Sequence, residues 1–166
     1  MKRRAVFTVA LLASAALVAA LAGTGSADHP GSTTLTFVER NNQGTFRFID
    51  VPPKSTRRGE PSVSSGDSFY GSSPLYNAAN TRREGKLFFK CTAVVGSKRF
   101  RGSTFLCEAT ARLSNGTLVL SAIFKGDNPP SGPVIGGTGA YEGASGSFSS
   151  DERRRTTVDT LHFDTD

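Results

Sequence analysis

KLFFKCTAVVGSKRFRGSTFLCEATARLSNGTLVLSAIFK, residues 86–125, repeats apolar side chains at every second position in three successive runs. Leu87, Phe89, Cys91, Ala93 and Val95 form the first run. Phe105, Cys107, Ala109, Ala111 and Leu113 form the second, and Leu118, Leu120, Ala122 and Phe124 the third. Successive side chains of a strand point to opposite faces, so this alternation predicts three strands, each with one buried face. Asn115-Gly116 suits a two-residue hairpin turn, because both residue types tolerate positive φ. That turn sets Ala111 opposite Leu120 and Ala109 opposite Ala122. Folding the first run back about Arg99 places Cys91 across from Cys107, within disulfide reach of neighbouring strands. The stretch predicts a three-stranded meander cross-linked by Cys91 and Cys107.

Alternation extends outward on both sides. Leu35, Phe37, Glu39 and Asn41 share one face, and Phe46, Phe48 and Asp50 share a face of a second strand, Thr45 to Val51. Pro52-Pro53 ends that strand and opens a Ser-, Gly- and Arg-rich loop from Lys54 to Gly66. Asp67 to Tyr76 reads as a strand broken at Gly71 and Pro74. Beyond the meander, Gly126, Pro129, Pro130 and Gly132 exclude regular structure over Lys125 to Pro133. The glycines from Gly136 to Gly146 lack the following helix and strand that a dinucleotide loop requires. They suit a sharp bend where backbone crosses backbone. Arg155 to Phe163, with Val158 and Leu161, supplies the last strand. About eight short strands and no helix beyond the N-terminus predict an all-β fold, a closed antiparallel barrel. A barrel of that size has an interior filled by side chains or holding one small ligand. Phe89, Phe105, Leu118, Leu120 and Phe124 are the expected ligand-binding lining, and alanines at 93, 109, 111 and 122 favour a cavity over a solid core.

The N-terminus sets the compartment. Three charges in the first four residues, an apolar run from Ala5 to Ala22 and small residues up to Ala27 predict a secretory signal peptide over 1–27, cleaved after Ala27 or after Ala22. The mature chain is then expected to be secreted, without stable membrane insertion, as a mobile leader (28–34) and one barrel domain (35–166). Without Lys2, Arg3 and Arg4, the 20 basic residues become 17 against 14 acids, so the net charge falls from +6 to near +3. The remaining arginine pairs lack the interleaved aromatics of a stacking platform, so no nucleic-acid partner is expected. Two cysteines in an exported chain read as one disulfide. His29 and His162 build neither a triad nor a metal cluster, and no cofactor is expected.

Gly136-Gly137-Thr138-Gly139-Ala140-Tyr141-Glu142-Gly143 resembles the glycine-rich segment of the allene oxide cyclase and dirigent barrels, in their exported bacterial form. Gly66-Asp67 with Leu75-Tyr76 is similar to a second segment of that family. Cys91 falls where the plant cyclase has a cysteine, and Asp50 at a position common in bacterial members. The resemblance implies an eight-stranded barrel with a hydrophobic cavity, often as a homotrimer. Glu39-Arg40-Asn41 is similar to the cyclase's Glu-x-Asn. The resemblance thereby implies catalytic roles for Glu39, stabilising developing positive charge, and for Asn41, orienting an oxygen; Ser73 stands where the cyclase has an asparagine. Asp50 is the polar group that the dirigent likeness implies. Preorganised polar groups in a dry cavity are a sound way to steer charge.

Two functional readings follow. One is a secreted barrel that binds a small hydrophobic or phenolic ligand and guides its cyclisation or stereoselective coupling, an isomerase-like activity. The alternative is a non-catalytic secreted binding module, with cell-surface polyanions as one class of partner.

Overall fold

The computed structural model describes residues 31–55 and 62–165. The expected signal peptide, Arg57 and Arg58 lie outside the described residues. Among the described residues the chain forms β1 (Thr33–Arg40), β2 (Thr45–Ile49), β3 (Ser68–Asn77), β4 (Arg83–Val95), β5 (Thr104–Leu113), β6 (Gly116–Lys125), β7 (Ser131–Gly139), β8 (Ser145–Glu152) and β9 (Thr156–Asp164). They pair antiparallel in the order β1-β9-β8-β7-β6-β5-β4-β3-β2, and β1 also pairs β3 through Phe37–Asn77, Val38–Tyr76 and Glu39–Leu75. That last pairing closes eight strands into a barrel. Closure removes the unpaired edges that an open sheet exposes. β2 is the extra strand: it pairs only β3, opposite Ser68 to Ser72, continuing past the end of β1 along the same edge.

The meander is as its alternation predicts. β4 pairs β5 with Cys91 directly opposite Cys107, and a disulfide joins them with Cα atoms 4.0 Å apart. Inward positions make the core: Phe105, Leu75, Leu118 and Leu161 are at most 1 % exposed. Burial of each such side chain stabilises by roughly 1.5–3 kcal/mol. Phe100, in a single 3-10 turn after β4 (Phe100–Gly102), lays its ring 4.7 Å from that of Phe105, which also meets Phe69 at 5.2 Å.

Four expectations need correction. The β5–β6 turn is Ser114-Asn115, so Ala111 faces Leu118 and Ala109 faces Leu120. Gly116 is needed inside the sheet, where it pairs Gly139 and where a Cβ would lie 2.0 Å from the Thr138 carbonyl oxygen. The slip is two residues, so every inward side chain stays inward. The leader is shorter than 28–34, because Thr33 and Thr34 pair Phe163 and His162, with Thr34 Oγ1 2.8 Å from His162 Nδ1. Regular structure resumes at Ser131, not after Pro133, because Pro133 carries no amide hydrogen to lose and its neighbours still pair β8. The glycine-rich stretch is two strands, β7 and β8, around a turn at 140–144, with a bulge against β6 at Val119–Leu120.

Candidate active site

The barrel encloses a cavity of about 780 Å3. One wall is apolar and comes from β3 to β6: Phe69, Leu87, Phe89, Ala109, Leu120, Ala122 and Phe124, with the Cys91–Cys107 disulfide among them. The facing wall comes from β1, β8 and β9 and carries Glu39, Ser150, Thr157 and Asp159. Ser72 and Ser73 of β3 join the polar side. Asn41, Gly44, Asp127, Asn128 and Glu152 surround the mouth, at the end where β1, β6 and β8 finish.

Strand register brings the carboxyls together. On β9, Asp159 lies opposite Phe37 of β1 and Ser150 of β8, while Glu39 lies opposite Thr157. Glu39 and Asp159 are therefore diagonal neighbours on one inward face, within reach of long side chains. Ser150 Oγ donates to Asp159 Oδ1 at 2.6 Å. Asp159 is 7 % exposed, and its Oδ2 has no conventional donor. The Glu39 side chain also interacts with Asp159, and a hydrogen bond between two carboxyls needs one of them protonated.

Burial does favour the protonated form. It pushes the Glu39 carboxyl up to about 8, reinforced by the charge of Asp159, while a hydrogen bond from Ser73 acts the other way. Burial raises Asp159 as well, opposed by its hydrogen bonds from Ser150 and Glu39. Two neighbouring buried carboxyls resist ionising together, so the pair holds on to a proton more tightly than either carboxyl would alone. The site thus sets a proton-holding carboxyl pair beside an aromatic wall.

Of the residues singled out from sequence, Glu39, Asn41, Phe89, Leu120 and Phe124 all line the cavity. Phe105 and Leu118 do not; both are wholly buried in the packing behind the lining. Asn41 binds the mouth together. Its backbone amide donates to the Arg155 carbonyl, its Nδ2 to the Arg153 carbonyl, and its Oδ1 accepts from Thr157. Asp50 is not brought to the cavity: its Oδ2 accepts from the Ser55 amide in the loop after β2. Sequence reasoning missed Asp159 and Ser150. The signal was Leu161 and Phe163, whose parity carries Asp159 inward and turns Val158 out.

No family model matches the chain, and no curated protein matches it in sequence. Solved structures do match. A pyocyanin demethylase is 18 % identical with a TM-score of 0.60, covering 80 % of this chain and 98 % of its own. A pterocarpan synthase dirigent protein is 16 % identical with a TM-score of 0.61, over 82 % of this chain and 97 % of that one. A Diels–Alderase from Streptomyces koyangensis is 12 % identical with a TM-score of 0.58, over 81 % and 68 %. This chain therefore has the barrel fold of the dirigent proteins and Diels–Alderases, the fold that its resemblance to the allene oxide cyclase and dirigent barrels implied.

Proposed function

We propose that the exported chain binds a small, largely apolar molecule in its barrel and guides that molecule's ring closure or coupling. The observation that carries this reading is the buried Glu39–Asp159 pair on the wall of a cavity of about 780 Å3 that is otherwise mostly apolar. That volume falls in the range of small-molecule sites, about 300–1,000 Å3. Protonated Glu39 donates a hydrogen bond to an oxygen or nitrogen of the ligand as that atom gains electron density. The Asp159 carboxylate faces the positive charge that develops elsewhere on the ligand. A charge that stabilises only the developing cation lowers the barrier without tightening ground-state binding. The aromatic and alanine wall holds the ligand in one folded shape, so one face of the new bond is favoured.

The test uses the mature protein with a prochiral polyene epoxide and chiral chromatography of the cyclised product. Wild type gives an excess of one enantiomer, and Glu39→Gln binds the epoxide but loses that excess. Binding with a racemic product for both proteins would instead identify a binding module without chemistry.

A further inference from the structure

We infer that the barrel selects organic cations with a flat aromatic body and rejects anionic ligands of the same shape. This deepens the proposed function and rests on the reading of the barrel as a small-molecule site. Four carboxyl side chains line the cavity, those of Glu39, Asp127, Glu152 and Asp159, and among the described residues no Lys, Arg or His lines it. This holds in a chain whose formal net charge is +6. The acidic lining is a feature of the interior and mouth and not of overall composition.

The basic residues nearest the site are turned elsewhere. Arg40, next in sequence to Glu39, lies 3.8 Å over the ring of Tyr76 and donates from Nε and one terminal nitrogen to Asn80. Arg153, beside Glu152, pairs with Asp151 at 3.0 Å. Among the described residues, no basic side chain lines the cavity beside that negative charge. Asp159 marks the point of strongest demand: it is 93 % buried and lines the cavity, and its Oδ2 has no donor among the described residues. A buried anion without a counter-ion is costly, and a ligand cation that supplies one recovers that cost.

The opposite wall suits the same ligand. Phe69, Phe89 and Phe124 line the apolar side of the cavity, and aromatic faces attract cations through the ring quadrupole. Asp127 and Glu152 are exposed at the mouth, where they attract a cation and repel a carboxylate before entry. A ligand with its own acid group would bring a further negative charge against the Glu39–Asp159 pair.

Three tricycles of one shape separate charge from fit: N-methylacridinium, neutral acridine and acridine-9-carboxylate. Fluorescence titration of the mature protein near neutral pH is expected to give about tenfold or more tighter binding for the cation than for acridine, with the carboxylate weakest. Asp159→Asn should lose most of that preference, weakening the cation far more than acridine. Glu152→Gln, at an exposed position, should lower cation affinity by about twofold, an effect that fades with added salt. Equal affinity for all three tricycles, or preference for the carboxylate, overturns the charge selection and leaves the barrel a binder. Binding of none of them overturns the small-molecule reading itself.

Discussion

Glu39 is held against its own ionisation, and the consequence can be read in stability. Its carboxyl moves from an ordinary 4.5 to about 8 on folding, first through burial and then through Asp159. Between those two values the folded chain holds a proton that the unfolded chain has released. Stability therefore falls as pH rises from about 4.5 to about 8, by at most about 1.4 kcal/mol per pH unit, and levels off above. Urea unfolding of wild type at intervals across that range should show the decline. Glu39→Gln keeps a donor toward Asp159 without an ionisable group, so its decline should be much shallower, with the residue of slope left to Asp159. Identical slopes in the two proteins would remove Glu39 as the titrating group.

At the scale of strands, what could be read beforehand was whatever alternation could express. The meander showed its inward faces because Leu87, Phe89, Phe105 and Leu120 are large and regularly spaced. The same pattern fixed Cys91 opposite Cys107. β7 and β8 stayed hidden because glycine and serine fill most of their positions, and Val134, Ile135 and Phe148 are too few to show an alternation. Two adjacent glycines of β7 show what such a strand requires. A Cβ at Gly137 would stand 2.2 Å from the Tyr141 carbonyl oxygen, whereas one at Gly136 meets nothing within 4 Å. Gly137→Ala should cost about 2 kcal/mol or more in thermal or denaturant unfolding, and Gly136→Ala less than about 0.5 kcal/mol. The disulfide ties β4 to β5 across a separation of 16 residues, and replacing both cysteines by alanine should cost about 3 kcal/mol by the same measurements. The site was half legible for a related reason. Glu39 stood out as a carboxylate on an apolar face, but Asp159 sits among threonines, and only the pairing of β9 with β1 reveals that the two meet.

The whole molecule has two unlike sides, and they predict how copies assemble. Around β1, β8 and β9 the barrel turns polar side chains inward, while the outer face of β4 to β7 turns apolar ones to the surface. Phe88, Val94, Leu106, Ile123 and Ile135 are 41–69 % exposed, and Leu106 lies directly opposite Ile123. Contiguous exposed apolar patches mark association surfaces, and this face is the one proposed to meet a second copy. Lys90 and Glu108 lie opposite each other across β4 and β5 in the same area, so the patch carries one charge of each sign among its apolar side chains. The implied homotrimer would bury the back of the aromatic wall and stiffen it, and it would leave the polar wall free. Sedimentation equilibrium of the mature chain is expected to give three times the monomer mass. Ile123→Arg, at the most exposed of these positions, should shift the mass to that of the monomer with the strand signal in circular dichroism unchanged. A monomeric wild type at every concentration would mean that the aromatic wall keeps its shape through the β4–β5–β6 pairing and the Cys91–Cys107 bridge alone.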